Sequence, residues 1–189
     1  MPQGEKGYRR RNSLRHVAHD YSAPGAYFVT LCVYRRRCVF GQVVAHAMVL
    51  TPLGQLAQDG LVDFGKRQAA LVTVDAAVVM PNHVHLLLWL GADPDHLATV
   101  GHNKPRQFGN AVAGSLSTLI GGYKNSVTQR AKNRGFIPGP PLWQDNLHDH
   151  IVRDDASLVR IRHYIQTNPM RWLEDQLHPD APPNRFNHD

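Results

Sequence analysis

The chain has 189 residues, 42% hydrophobic and 19% charged, a composition that is typical of one folded domain and excludes a wholly disordered chain. With 21 Lys and Arg against 15 Asp and Glu, the formal net charge is +6, which favours a polyanionic partner such as nucleic acid, although basic charge also serves solubility alone. The sequence has no run of about 18 apolar residues, no apolar segment behind its basic N-terminus and only 2 cysteines, so we expect a cytoplasmic protein without a membrane helix, a secretory signal or a disulfide scaffold.

The N-terminal segment is predicted to be a basic arm. Residues 1–20 are polar and carry a run of positive charge, so we expect them to become ordered against an anionic partner. The run consists of Arg9, Arg10 and Arg11. The arm is followed by one predicted domain at residues 21–177 and by a polar tail at residues 178–189 that we expect to be disordered.

The first half of the domain predicts a strand followed by a helix. Residues 26–34 are rich in β-branched and aromatic side chains and predict a buried strand. A second short extended segment begins at Val39. Thr51 followed by Pro52 is typical of a helix start, and apolar residues at helical spacing continue that helix to about Gly65.

The middle of the chain predicts an antiparallel hairpin and a second helix. Residues 72–80 and 83–90 are apolar strands separated by the turn residues Pro81 and Asn82. Residues 91–110 have no periodicity and predict a loop. Residues 115–132 then place their apolar side chains on one helical face.

The last elements complete an α+β domain. Residues 134–141 predict a loop, residues 142–153 a short extended segment and residues 154–167 an amphipathic helix that ends before Pro169. Strands and helices in this order predict an antiparallel sheet with helices packed on it.

Two histidines in the second hairpin strand are candidate metal ligands. Side chains alternate along a strand, so His83 and His85 share one face while Val84 occupies the other. Two imidazoles on neighbouring positions of one face can bind the same divalent cation. The alternative is a pair of solvent-facing histidines without a ligand, and this stays open, although polar side chains on an apolar strand need a partner.

The last helix offers a phenol and an amide that can join such a site. Tyr164 and Asn168 are four residues apart and lie on one helical face. A cation that neutralises the charge of a phosphodiester would help a tyrosine to attack that phosphodiester. The alternative is that Tyr164 borders the core and Asn168 only caps the helix. Cys32 and Cys38 lack the spacing of zinc ligands.

At these residues the chain resembles a known family. His83-Val84-His85 is similar to the histidine–hydrophobic–histidine motif of HUH single-stranded DNA nucleases and transposases, and residues 164–169 resemble the tyrosine helix of their single-tyrosine branch. Within that branch the chain most resembles the REP-associated tyrosine transposases. Further segments match in order, over roughly residues 8–175: residues 20–30, 39–41, 50–54, 79–85, 120–124 and 142–153.

The resemblance implies a ferredoxin-like fold and a metal-dependent DNA reaction. His83 and His85 would bind Mg²⁺ or Mn²⁺ with Asn168 as a third ligand, although the wider superfamily often has glutamine at that position. Tyr164 would attack a phosphate of single-stranded DNA in hairpin-forming repeats, leaving a 5′-phosphotyrosine and a free 3′-OH. The resemblance also implies a bacterial, nucleoid-associated protein that is a monomer or a homodimer.

DNA contacts follow from the resemblance less directly. The arginines of the arm, Lys124 on the middle helix and Arg153 are the candidates for phosphate contacts, and Lys124 can equally be a solvated lysine. A different class of function remains open, namely a domesticated protein that binds a DNA sequence or hairpin without cleaving it. A relaxase-like replication initiator is disfavoured because one tyrosine follows the motif.

Overall fold

The protein is described from a computed structural model at residues 20–91, 113–137, 141–145 and 147–182. Most of the predicted N-terminal arm, nearly all of the predicted loop at 91–110 and the last residues of the predicted tail lie outside the described residues. In chain order the strands and α-helices are β1 (Gly25–Cys32), β2 (Gly41–Val44), β3 (Ala47–Leu50), α1 (Pro52–Arg67), β4 (Val72–Met80), β5 (His83–Leu90), α2 (Leu116–Asn133), β6 (His148–Val152) and α3 (Asp155–Thr167).

Four of the strands in the described part of the chain form one antiparallel sheet with the order β4-β5-β1-β6. β1 lies at the centre and pairs with β5 on one side and with β6 on the other. Because α1 connects β1 to β4 and α2 connects β5 to β6, the topology is the split βαβ arrangement of ferredoxin-like domains. The predicted α+β fold is confirmed.

The two faces of the sheet are covered by different helices. On one face, alternate residues of β1 such as Tyr27 and Leu31 join a large core with Leu56 of α1 and Tyr123 of α2. The opposite face packs against α3 through a smaller cluster. That cluster includes Ala26, Phe28, Leu87, Trp89, Leu158, Ile161, Tyr164 and Ile165. The alternation along β1 and β5 therefore directs one set of side chains to the main core and the other set to α3.

The helix starts are set by capping side chains. Thr51 Oγ1 accepts a hydrogen bond from the backbone N–H of Gly54 at 3.1 Å, as its position before Pro52 predicts. Ser115 caps α2 in the same way, and Asp154 Oδ1 accepts from Ser157 N at 2.7 Å at the start of α3. The predicted hairpin strands of residues 72–80 and 83–90 are confirmed with the same bounds.

A second hairpin was not predicted. β2 and β3 pair across a tight turn in which Ala45 and His46 have φ angles of 47° and 64°. Such left-handed pairs are usually Asn-Gly or Gly-Gly, so Ala-His gave no turn signal. Among the described residues, none of the helices combines the length and apolar character that a bilayer-spanning helix requires.

Beyond α3 the chain stays folded against the sheet. Thr167 ends the α-helix, and residues Asn168–Glu174 form a 3₁₀ helix that buries Trp172. Leu177 is buried as well, and the ring of His178 lies 4.9 Å from that of Trp172. The structure thus describes the predicted tail as far as residue 182, and the last residues lie outside it.

Candidate functional site

The histidine pair lies on the sheet face that α3 covers. His83 and His85 are the first and third residues of β5, and both side chains are buried. Their ring centroids are 4.4 Å apart. The strand therefore presents two imidazoles side by side, as the alternation predicts, and they face α3 and the segment after it rather than solvent.

Tyr164 of α3 faces this pair. Its Oη lies 3.3 Å from His85 Nε2. Phe28 of β1 packs against both rings, with its centroid 5.1 Å from that of His85 and 6.0 Å from that of Tyr164. The phenol is thus held at the edge of the histidine pair by apolar contacts on the same sheet face.

Asn168 lies one turn after Tyr164 and also points into the site. Its side chain is buried, and its Nδ2 donates a hydrogen bond to Asp175 Oδ2 at 3.1 Å. Among the described residues, Oδ1 of Asn168 and Nε2 of His83 are buried without a hydrogen-bond partner. Buried polar atoms normally have partners, so these two atoms are available to bind a ligand.

Asp175 completes the cluster and was missed by the sequence analysis. One nitrogen of each histidine and one carboxylate oxygen of Asp175 lie within 4.8 Å of one another. Asp175 Oδ1 accepts from the backbone N–H of Leu177 at 2.7 Å, which fixes the side chain. Asp175 follows a 3₁₀ helix and belongs to no periodic pattern or motif, so the sequence carried no signal for it.

Burial sets the proton affinities of the site. Burial lowers the pKa of His83 to about 3, and burial together with its neighbour His83 lowers the pKa of His85 well below its usual range. Both imidazoles are therefore neutral near pH 7 and can offer a lone pair. Burial, and then the charge of Asp175, raises the pKa of Tyr164 to about 12, so the free phenol keeps its proton.

These donors fit a divalent cation. Two imidazole nitrogens of β5 and a carboxylate oxygen of Asp175 converge, and the buried amide oxygen of Asn168 belongs to the same segment after α3 as Asp175. Imidazole with oxygen ligands suits Mn²⁺ and related ions, whereas Mg²⁺ prefers oxygen alone. The unpartnered atoms of His83 and Asn168 are the observation that supports the fit.

An ion pair fastens α3 to the sheet close to the tyrosine. The pairing of β4 with β5 shifts register between Val74 and Ala76, so Asp75 is not paired with a residue of β5. Arg162 donates to both carboxylate oxygens of Asp75, at 2.7 Å from Nε and 2.5 Å from Nη2. Trp89 Nε1 donates to the same carboxylate at 2.9 Å. Arg162 precedes Tyr164 by two residues, so this contact anchors the helix that carries the phenol.

The predicted DNA-contact residues lie elsewhere. Lys124 donates from Nζ to the backbone carbonyl of Gln144, and burial lowers its pKa. Arg153 is exposed beside the start of α3 and lines a surface cavity of about 280 Å³ with Asp149 and Ser157. The structure does not bring either residue into the histidine–tyrosine cluster. The remaining candidates lie outside the described residues: Arg9, Arg10 and Arg11.

No family model matches the chain. An uncharacterised protein of Haemophilus influenzae is 30% identical over 182 residues, which span 92% of this chain and 96% of that protein. A second protein of that organism, provisionally named a REP-associated tyrosine transposase, is 26% identical over 114 residues, 60% of this chain and 58% of its own length.

Among solved structures, a REP-associated tyrosine transposase bound to a REP hairpin superposes on the chain with a TM-score of 0.55. The two chains are 17% identical, and the match covers 84% of this chain and 74% of the other. At that identity the likeness establishes a shared fold.

Proposed function

The chain belongs to the HUH single-tyrosine transposase superfamily, in which it resembles the REP-associated tyrosine transposases, and from this premise we propose that it cleaves and rejoins single-stranded DNA through a phosphotyrosine. The observation that carries the proposal is the position of Tyr164 Oη, 3.3 Å from His85 Nε2 in a cluster with unpartnered buried atoms. A tyrosine that served packing alone would not require a histidine, a carboxylate and an amide around its hydroxyl.

The proposed reaction exchanges one phosphoester for another. Tyr164 Oη forms a bond to the phosphorus, the bond from phosphorus to the 3′-oxygen breaks, and that oxygen leaves as a free 3′-OH after taking a proton. The product is a 5′-phosphotyrosine, and attack by a 3′-OH reverses the step and rejoins the strand. Because each step replaces one phosphoester by another, no nucleotide cofactor is needed.

The residues around the phenol orient it and receive its proton. Asp175 Oδ2 lies 3.5 Å from Tyr164 Oη, which can donate its hydrogen there. The T-shaped contact with Phe28 holds the ring so that Oη faces the cluster. His83, His85 and Asn168 would hold Mg²⁺ or Mn²⁺, with Asp175 within reach of the same ion. Such an ion, when bound, supplies positive charge that polarises the phosphate and offsets the cost of ionising a buried phenol.

We propose single-stranded, hairpin-forming repeat DNA as the substrate. A protein of the same fold has been solved with a REP hairpin bound, which supports this class of partner. The net charge of +6 suits a polyanion, and we assign phosphate contacts to the three arginines of the arm, to Lys124 and to Arg153. We place the catalytic domain at residues 21–177, a range that includes Tyr164, the histidine pair, Asn168 and Asp175.

The test is covalent capture of a labelled single-stranded hairpin. Wild-type protein should form an adduct that survives denaturation, and Tyr164→Phe should bind the hairpin but form none. Tyr34→Phe is the control, because Tyr34 lies in the 3₁₀ turn after β1 and not in the site. EDTA should stop the reaction, and added Mg²⁺ or Mn²⁺ should restore it. Hairpin binding without any adduct from the wild-type protein would favour the non-cleaving DNA-binding alternative.

A further inference from the structure

Asn82 is a fully buried amide in the turn that precedes the histidine strand. Its backbone carbonyl accepts from Val33 N at 2.8 Å, and the neighbouring carbonyl of Pro81 accepts from Phe40 N at 3.0 Å. The turn is thus tied to the chain that leaves β1. The backbone of Asn82 is therefore held in place, and the orientation of its side-chain amide can be assigned from the groups around it.

The surroundings dictate which way the amide points. Nδ2 of Asn82 has two carbonyl oxygens within hydrogen-bond distance, Leu177 O at 2.7 Å and Arg36 O at 3.2 Å. Only the NH₂ end can satisfy both, because the reversed amide would set its own oxygen against two oxygens. The oxygen of Asn82 must therefore face His83.

This orientation sets the proton of the first histidine. Asn82 Oδ1 lies 2.8 Å from His83 Nδ1, and an amide oxygen can only accept, so Nδ1 must carry the hydrogen. A neutral imidazole has one N–H, which leaves His83 Nε2 with a free lone pair. This is the atom that is buried without a partner among the described residues.

We propose that Asn82 is a positioning residue of the metal site, which locks His83 in the Nδ1–H tautomer and so reserves Nε2 for the ion. The inference rests on the metal site of the proposed function and names a residue that acts through a ligand. The same amide also holds Leu177, whose N–H binds Asp175 Oδ1, so it connects the acidic member of the cluster to β5. One side chain thus orders two of the groups that would meet the ion.

His85 provides an internal contrast. Its Nδ1 lies 3.0 Å from the hydroxyl oxygen of Thr30. A hydroxyl can donate or accept, so this contact permits either tautomer. Only the tautomer of His83 is therefore fixed by its neighbour, whereas Thr30 limits the rotation of the His85 ring without fixing its tautomer.

The direct test needs neither DNA nor a variant of Asn82. In metal-free wild-type protein labelled with nitrogen-15, two-bond nitrogen–proton correlation spectra distinguish a protonated imidazole nitrogen from an unprotonated one. The His83 signals are assigned by their loss in His83→Gln. We expect Nδ1 to be protonated and Nε2 to be unprotonated near pH 7. A hydrogen on Nε2 of His83 would overturn the proposal.

Metal binding supplies the second arm of the test, with Mn²⁺ alone as the probe. Loss of a partner that orients a ligand typically weakens metal affinity about 10–100-fold, so we expect that loss in Asn82→Ala. Asn133→Ala is the matched control, because Asn133 is exposed at the end of α2. An unchanged Mn²⁺ affinity in Asn82→Ala would count against the proposal.

The outcomes separate this inference from the proposed function. A locked tautomer and weakened Mn²⁺ binding in Asn82→Ala, without any covalent DNA adduct from the wild type, would support the inference and refute cleavage. An adduct at Tyr164 together with a hydrogen on Nε2 of His83 would support cleavage and refute the inference.

Discussion

The anchor between α3 and the sheet gives a prediction that links stability to the position of the proposed nucleophile. Asp75→Asn removes the charge that holds Arg162 while keeping the size of the side chain. Arg162 then loses a bidentate ion pair, and the amide oxygen of the new side chain remains to accept a hydrogen bond from Trp89 Nε1. Because Arg162 precedes Tyr164 by two residues, we expect α3 to loosen where it carries the phenol.

The expected loss of stability lies between two limits. Hydrogen bonds to charged groups contribute about 1.5–3 kcal/mol, whereas exposed ion pairs contribute about 0–1 kcal/mol. The side chain of Asp75 is 11% exposed and that of Arg162 is 42% exposed, so solvent screens one partner only. We therefore expect a loss of about 1–2 kcal/mol, which in a domain of this size lowers Tm by about 2–8 °C.

The pH dependence gives this prediction a signature. The hydrogen bond from Arg162, more than any other cause, lowers the pKa of Asp75. A carboxyl whose folded pKa is depressed stabilises the protein above its unfolded pKa of about 3.9, and the contribution is lost as pH falls through the folded value. The difference in Tm between wild type and Asp75→Asn should therefore be constant from about pH 5 to pH 8 and shrink below about pH 4.

A matched ion pair far from the tyrosine provides the control. Arg130 and Asp63 join α2 to α1 at 2.8 Å, and their side chains are 34% and 45% exposed. Asp63→Asn should lower Tm by at most about 4 °C and leave adduct formation unchanged, whereas Asp75→Asn should slow adduct formation without weakening hairpin binding. Equal effects of both variants on the adduct, or no effect of Asp75→Asn on either Tm or the adduct, would refute the reasoning.

Three further predictions concern the metal and the DNA. Mn²⁺ at 100 times its Kd should stabilise the folded protein by about 2.7 kcal/mol, and thermal unfolding should show no such shift in His83→Gln; a shift that survives in that variant would place the ion elsewhere. Asp175→Asn should weaken Mn²⁺ binding in titration calorimetry and slow adduct formation, because a carboxylate is removed from the cluster, and unchanged values would leave Asp175 a structural role only. Hairpin affinity should fall steeply with salt, and replacing Arg9, Arg10 and Arg11 together by Ala should flatten the slope by about 2–3 units on a logarithmic plot; an unchanged slope would remove the arm from the interface.

The elements that the sequence predicted are those whose signal is local. β4, β5 and the start of α1 follow from alternation, a turn and an N-cap, and each lies where it was expected. The β2–β3 hairpin was not predicted because its turn has Ala45 and His46 at positive φ, in place of the usual glycine or asparagine. In that case the packing of the hairpin overrides the local preference of its turn residues.

The candidate site likewise contains residues that local patterns predict and residues that they do not. The histidine pair and the spacing of Tyr164 and Asn168 are properties of one strand and one helix, so their shared faces could be predicted. Their meeting depends on how α3 packs on the sheet, which no local pattern encodes. Asp175 lies in an irregular segment that reaches the site because Leu177 binds the amide of Asn82, a contact between residues 95 positions apart.

In the proposed reaction Tyr164, beside the histidine pair, becomes joined to the 5′ end of cleaved single-stranded DNA. The most direct measurement is mass spectrometry of peptides from wild-type protein incubated with a repeat hairpin and Mn²⁺, after nuclease trimming of the attached strand. We expect one modified peptide with a 5′-phosphonucleotide on Tyr164, and its absence when EDTA replaces Mn²⁺. Modification of another residue, or cleaved DNA without any modified peptide, would contradict it.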